Sequence, residues 1–302
     1  MRRSITTAAC IGLLFATGAV QAQSQDTLDK IKSTQSITMG VREASGVMSF
    51  TLGNGKYTGF HVEVCEKVLD QIKTDLKLPN LDVKYQLVTP QNRIPLLKNG
   101  TVDLVCGTTT NNAVRQQEVA FAPTLYVEEV RASVKKGSGI SSLDQLAGKN
   151  VAVTTGSTSV TLLRKLDKDK GLNMTVMMTK DNAECIMLLE NARADACVAD
   201  GQILAAGISR LRTPEQYEIL TQPLSVEPIA IMFKKEAPEF KKAFDAKVKA
   251  MASSGEVAKL YEKWFTQPIP PSNRAINLPA SAATKAAWAN PTDKPLEEYQ
   301  VN

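Results

Sequence analysis

Val102-Asp103-Leu104-Val105-Cys106-Gly107-Thr108-Thr109-Thr110-Asn111-Asn112, with Arg115 three residues further on, is the stretch that decides the fold. An apolar run ends in small hydroxylated residues, and a guanidinium follows. Read as a strand, the run places the threonine hydroxyls and freed backbone N–H groups at its carboxyl end. Open α/β sheets bind ligands there. Arg115 adds a planar fork that matches a carboxylate. The stretch predicts a small-molecule carboxylate site at a strand end.

On both sides of it, strand-like and helix-like segments alternate. Short apolar runs at Ile37–Val41, Leu81–Val88, Val102–Cys106, Asn150–Thr155, Met174–Thr179 and Ala194–Ala199 read as strands. Between them, His61–Leu76, Arg93–Lys98, Val160–Lys168, Ala183–Ala192 and Gln202–Leu211 read as helices; Val64, Val68, Leu69 and Ile72 share one face of the first. Such alternation implies α/β layers with mainly parallel strands. One strand, Ile229–Lys234, and two helices, Glu239–Ala252 and Val257–Phe265, follow, with Trp264 and Phe265 packing a helix end. The tail from Gln267 is rich in Pro, Ala and Asn and is weakly specified.

The stretch also has an echo. Leu96-Leu97-Lys98-Asn99-Gly100-Thr101-Val102-Asp103 resembles Leu188-Leu189-Glu190-Asn191-Ala192-Arg193-Ala194-Asp195. Each is a helix end running into an apolar strand. The first strand leads to the threonine cluster and the second to Asp200. Two lobes of similar plan are expected, each offering strand ends to a shared cleft. The chain would cross between them near Leu125–Arg131 and again near Pro223–Pro228.

The 302 residues suffice for two domains. Arg2 and Arg3, the apolar run Ala8–Ala16 and Val20-Gln21-Ala22 read as an export signal over residues 1–22. It is too short to span a membrane, and no later run is apolar enough. Cys10, inside that apolar run, is not read as a lipidation site. The formal charge of +5 falls to +3 without Arg2 and Arg3. It is spread over short Lys/Arg runs, with no nucleic-acid footprint. Cys65, Cys106, Cys185 and Cys197 remain, and an oxidising compartment permits disulfides. Of the three connectivities, Cys65–Cys106 with Cys185–Cys197 is the most local; free buried thiols stay open for the second pair. No spacing resembles a metal site.

Other strand-to-helix junctions carry chemistry. Asp200 can accept hydrogen bonds from a ligand ammonium or cap a helix. Gly156-Ser157-Thr158-Ser159 opens a helix, whose free N–H groups suit an anion or simple capping. Arg42 and Arg93 lie on the same sheet edge as Arg115. His61, the only histidine, begins a helix and reads as a surface or capping residue. No Ser/His/Asp or Cys/His constellation can be assembled.

The motif Gln91-Asn92-Arg93-Ile94-Pro95-Leu96-Leu97 with Asn99-Gly100-Thr101, and then Cys106-Gly107, Thr109-Thr110-Asn111-Asn112, Arg115-Gln116 and Ala120-Phe121, carries a resemblance. The chain resembles the periplasmic solute-binding proteins of polar amino acid ABC transporters, in their glutamate/aspartate-binding branch. The likeness extends from Thr27-Leu28-Asp29-Lys30-Ile31 to Pro268-Ile269-Pro270-Pro271. It implies a two-lobed periplasmic binding protein fold of type II, each lobe a mostly parallel sheet flanked by helices, joined by two hinge strands. Residues 23–127 and 228–302 would form one lobe and 128–227 the other.

By the same resemblance, Arg115 grips the ligand α-carboxylate with Thr110 and Thr108, and Asp200 takes the α-ammonium. Arg42 and Arg93 meet a side-chain carboxylate, and Ser157 and Thr158 add donors from the second lobe. Two further arginines fit a second carboxylate, because a neutral side chain would leave buried positive charge uncompensated. Close glutamate/aspartate binders carry Ser at the position of Pro90 and His at that of Asn182. Pro90 offers neither hydroxyl nor N–H, and Asn182 donates only as an amide, so the side-chain end of the pocket is expected to be retuned, toward another acidic or an amidated amino acid. The resemblance implies a monomeric periplasmic receptor without cofactor, catalysing nothing and delivering an acidic L-amino acid to an inner-membrane ABC permease. The alternatives are a dehydratase of cyclic carboxylic acids on the same scaffold, or a receptor feeding a membrane sensor.

Overall fold

The computed structural model describes residues 25–299. The expected export signal and Cys10 lie outside the described residues. From the amino end, α1 (Thr27–Thr34), capped by the Asp26 carboxylate on Leu28 N–H, precedes β1 (Ser36–Val41). A small antiparallel sheet follows: β2 (Ala44–Ser45), β3 (Ser49–Gly53) and β4 (Lys56–Thr58). Next come α2 (Phe60–Asp75), β5 (Asp82–Leu87), α3 (Arg93–Lys98), β6 (Leu104–Val105), α4 (Ala113–Gln116) and β7 (Val119–Phe121).

The long β8 (Tyr126–Lys135) carries the chain into a second sheet. That half contains β9 (Asn150–Thr154), α5 (Thr158–Lys170), β10 (Thr175–Thr179), α6 (Asn182–Glu190), β11 (Ala196–Asp200), α7 (Gly201–Ser209) and β12 (Tyr217–Ile219). β13 (Ser225–Ile229) pairs antiparallel with β8 and returns the chain to the first sheet at β14 (Met232–Lys234). Three helices close the described chain: α8 (Pro238–Ser253), α9 (Glu256–Phe265) and α10 (Ala282–Ala289).

The first sheet runs β5-β1-β6-β14-β7 and the second β10-β9-β11-β8-β12, with β13 on β8. Both are mixed. The strands β5-β1-β6 and β10-β9-β11 are parallel, as expected from the βα alternation. The pairs made by the crossing strands β8, β13 and β14 are antiparallel. The expected single strand Ile229–Lys234 is broken at Ala230–Ile231. There the chain pairs instead with the threonine cluster: Ala230 N–H donates to Thr109 O at 3.0 Å and Asn111 N–H to Pro228 O at 2.9 Å.

Burial follows the strand period. In β9, Val151 and Val153 belong to the core under α5, while Ala152 faces Cys185, Leu189 and Leu204 on the other side. The first lobe is built around Phe60, Phe240, Phe244 and Phe265, all with essentially no exposed surface, and Trp264 and Phe265 pack as expected at the end of α9. Disulfides Cys65–Cys106 and Cys185–Cys197 tie α2 to the end of β6 and α6 to β11, the most local of the three pairings. Among the described residues no helix is long and apolar enough to cross a membrane.

The weakly specified tail is ordered. Trp288 Nε1 donates to Leu125 O at 2.7 Å, Thr124 N–H to Thr292 O at 2.9 Å, and Asn111 Nδ2 to Asp293 O at 2.8 Å. It braces both the first crossing segment and the threonine cluster.

Candidate functional site

The carboxyl ends of the parallel strands of both sheets open toward one space. Arg42 follows β1, Arg93 follows β5 and Thr108 follows β6; Ser157 follows β9, Asn182 follows β10 and Asp200 ends β11. A small cavity lies between them, lined by Arg42, Arg93, Thr108, Thr110, Arg115, Ser157, Thr158, Asn182 and Asp200, together with Pro90 and Thr154. All nine residues singled out from the sequence therefore come together.

Their hydrogen bonds divide them. Arg93 is 3% exposed; its Nη1 donates to Thr108 O at 3.0 Å, while Nε has no protein partner. Arg42, 2% exposed, stands beside Asp200 and Asp181, and burial lowers its pKa to about 10. Burial also holds Arg93 well below its ordinary value, helped by the neighbouring positive charges of Arg115 and Arg42 and opposed by Asp200. Among the described residues neither guanidinium forms a direct ion pair, despite the nearby Asp200, and an anionic guest would supply one. Arg115 reaches across the cleft: Nη1 donates to Thr110 O at 2.8 Å and Nη2 to Gly156 O at 3.4 Å.

Asp200 occupies the N-cap position of α7 but does not cap it. Glu128, 2% exposed in β8, accepts the Gly201 N–H instead, at 3.0 Å. The Asp200 carboxylate is left to face the cavity. Burial and Glu227 push its pKa up to about 7, against the pull of the three arginines. An ammonium at that spot would favour the ionised form.

Ser157 and Asn182 are already engaged. Ser157 Oγ donates to Thr154 O at 2.7 Å, so its hydroxyl proton is unavailable to a guest. Asn182 Nδ2 donates across the cleft to Ala44 O at 2.8 Å, and its Oδ1 accepts from Thr154 Oγ1 at 2.9 Å. It works as a strut between the lobes. The N-terminus of α5 lacks a side-chain cap and presents its first N–H groups.

Three residues escaped the sequence reading. Gln202, fully buried in α7, accepts Val47 N–H from the opposite lobe at 3.0 Å. Glu227 accepts from Thr110 Oγ1 at 2.6 Å and from Thr158 Oγ1 at 2.8 Å. His61 is no surface residue: it is fully buried in α2, with Nδ1 2.7 Å from Gly107 O. Burial drives its pKa down to about 4, so the ring is neutral and Nδ1 carries the donated proton. It braces the loop that bears the threonines. A lone histidine on an amphipathic helix gives no sequence signal for this, whereas an acid between valine and proline at a crossing point, as in Val226-Glu227-Pro228, is a signal that could have been used.

The chain is 40% identical to an L-glutamate/L-aspartate-binding protein of Pseudomonas aeruginosa over 297 residues, 98% of each chain. It is 38% identical to a glutamate/aspartate import solute-binding protein of Escherichia coli, covering 95% of this chain and 97% of that one. Among solved structures, it resembles an ancestral amino acid-binding protein described as a precursor of cyclohexadienyl dehydratase, with TM-score 0.68 and 26% identity over 79% of this chain and 99% of the other. The architecture is the two-lobed fold of type II periplasmic amino acid-binding proteins. Residues 37–267 match the bacterial extracellular solute-binding proteins, family 3, and the chain belongs to that family.

Proposed function

We propose that this chain is an exported receptor that encloses an acidic L-amino acid, glutamate or aspartate, and delivers it to an ABC importer in the inner membrane. Residues 1–22 act as the export signal to the periplasm. Residues 23–127 and 228–302 form one lobe and 128–227 the other, and the receptor works as a monomer. The observation that carries the reading is the cleft charge. Three guanidiniums, Arg42 and Arg93 buried and Arg115 half-buried, face the Asp200 carboxylate, with Glu227 beside them; leaving aside the half-exposed Asp181 near Arg42, one positive charge is in excess. An acidic amino acid carries one net negative charge and closes that balance. Arg115 and the N-terminus of α5 suit the α-carboxylate, Asp200 the ammonium, and Arg42 and Arg93 the side-chain carboxylate. The names of the relatives in Pseudomonas aeruginosa and Escherichia coli support the same ligand class.

A thermal-shift screen against the amino acids and small dicarboxylates tests this. Glutamate or aspartate at a hundredfold excess over its dissociation constant should add about 2.7 kcal/mol of stability. A screen in which no amino acid shifts the transition, or neutral ones shift it more than acidic ones, overturns the reading. An enzymatic reading has one observation in its favour: Asp200, titrating near neutrality, could move a proton on a bound carboxylic acid. Turnover of cyclic carboxylates by the purified chain would establish it over the receptor.

A further inference from the structure

Glu227 lies in β13 directly opposite Glu128 of β8, where the chain crosses between the sheets, and is 1% exposed. Its Oε2 accepts two hydrogen bonds, from Thr110 Oγ1 of one lobe and Thr158 Oγ1 of the other. Its Oε1 accepts from Ser225 Oγ at 2.9 Å. Both threonines line the cavity, their hydroxyl oxygens 3.5 Å apart. A hydroxyl has one proton, and a carboxylate only accepts. Both protons are therefore turned to the hinge, and the hydroxyls meet a guest with lone pairs. The sequence reading made Thr110 and Thr158 donors to a carboxylate; this geometry makes them acceptors.

We propose that Glu227 is the specificity-determining positioning residue that makes the cleft require an ammonium on its ligand. The inference rests on the proposed acidic amino acid ligand and deepens it. Two inward-facing acceptors beside Asp200 reward a group rich in N–H donors and repel a further carboxylate oxygen. The Glu227 charge acts in the same direction. With it, the cleft balances a guest of net charge −1; the corresponding dicarboxylate without an amine brings −2 and leaves one charge unmatched. Glu227 touches no guest in this scheme and acts through the two hydroxyls, holding one from each lobe so that the acceptor pair is complete only when the lobes meet.

Calorimetric titration of the full chain and of Glu227→Gln, with L-glutamate against glutarate and L-aspartate against succinate, tests it. The wild type should prefer each amino acid over its amine-free analogue by about 100-fold or more. In Glu227→Gln the amide oxygen can still accept from both threonine hydroxyls, but the carboxylate charge that disfavours the doubly negative guest is gone, so the preference should narrow about tenfold or more. An unchanged ratio, even with both affinities reduced, makes Glu227 a purely structural residue and overturns the proposal. Thr158→Val leaves the hinge carboxylate in place. It should weaken glutamate about tenfold and leave glutarate within about twofold; equal losses would make Thr158 a donor and overturn the proposal. A wild type that binds no acidic amino acid removes the underlying ligand assignment, a failure visible before any variant is compared.

Discussion

Asp103 and Asp195 make the same reciprocal contacts in the two lobes. Asp103 Oδ2 accepts Thr38 N–H at 2.8 Å, and Asp103 N–H returns a bond to Thr38 O at 2.8 Å. Asp195 Oδ2 accepts Asn150 N–H at 2.8 Å, and Asp195 N–H bonds Asn150 O at 2.7 Å. Each aspartate locks the strand that enters from a helix end to the first residues of its parallel neighbour, Thr38 in β1 and Asn150 at the start of β9. The echo between Leu96–Asp103 and Leu188–Asp195 is thus a shared piece of architecture.

The echo also exposes a mismatch. Gly100 and Ala192 hold equivalent places, and both are left-handed, with φ of +82° and +54°. Only glycine adopts that region freely; for other residues it costs about 1–2 kcal/mol. Ala192→Gly should therefore raise stability by about 0.5–1 kcal/mol, partly offset by the greater freedom of the unfolded chain. Denaturant unfolding checks it, and a loss of stability would show that Ala192 is held by packing its methyl.

Closure rests on a close approach at Gly156. A Cβ there would lie 2.8 Å from the Gln91 Cα and 2.8 Å from its N, which is backbone and cannot swing aside; φ is +81°. Gln91 belongs to the first lobe and Gly156 to the second, so the clash exists only when they meet. Gly156→Ala should weaken ligand binding about tenfold or more, given an overpacking cost of about 1–3 kcal/mol. Unliganded unfolding should change by only about 1 kcal/mol, the backbone strain. Calorimetric titration and small-angle scattering with ligand would read both; a variant that closes and binds as the wild type does would show that the lobes meet elsewhere.

The parallel strands, their helices and eight of the nine cavity residues were legible because each stands at a strand-to-helix junction, a position that apolar runs and Gly, Asp or Thr mark locally; Asn182 was found only through the family resemblance. What was illegible is held by distant backbone. α10 has little apolar periodicity; its anchors are Thr284 on Val127 and Trp288 on the Leu125 carbonyl. The engagement of Ser157 and Asn182 was hidden for the same reason. Residue type shows that a side chain can donate, and only the fold shows that Thr154 O and Ala44 O take the hydrogen bond. Asp200 went the other way: capping was an open alternative until Glu128 was seen to take the Gly201 N–H.

Binding should depend on pH through Asp200. Its pKa is pushed up to about 7 in the empty cleft, and a ligand ammonium favours the ionised form. Affinity should be level above about pH 7 and fall about tenfold per unit below it, to about 100-fold weaker at pH 5. The ligand carboxylates stay ionised over that range. Without ligand the sign reverses. The folded state binds this proton more tightly than the unfolded chain does, so the contribution of Asp200 to stability grows as pH falls from about 7 toward 4. Asp200→Asn should remove both dependences and weaken binding at neutral pH; a pH profile unchanged in that variant would assign the titration to another group.

Arg93 should read the ligand side chain. Arg93→Ala removes one of the two buried guanidiniums assigned to the second ligand carboxylate, a loss of up to roughly 3–5 kcal/mol or about two to four powers of ten in glutamate affinity. Glutamine, with no charge there, should lose less than about tenfold. Titration of both ligands separates the outcomes. Equal losses would mean that Arg93 matters through its bond to Thr108 O, holding the threonine loop.

The tail should contribute stability without touching the ligand. Trp288 packs its ring against Tyr261, centroids 5.3 Å apart, and gives its indole N–H to Leu125 O, one residue before β8 begins. Trp288→Ala removes half-buried aromatic surface and leaves that carbonyl without its donor. From the usual cost of truncating a buried aromatic, lessened by partial exposure, the loss should be about 2–3 kcal/mol. In a chain of this size that lowers the melting temperature by roughly 5 °C. Because α10 contacts the crossing strand and not the cavity, the glutamate dissociation constant should stay within about threefold. Calorimetry with and without ligand measures both quantities. A variant with normal stability and much weaker binding would place the tail in the closing motion, since the anchor at Leu125 would then be setting where β8 bends.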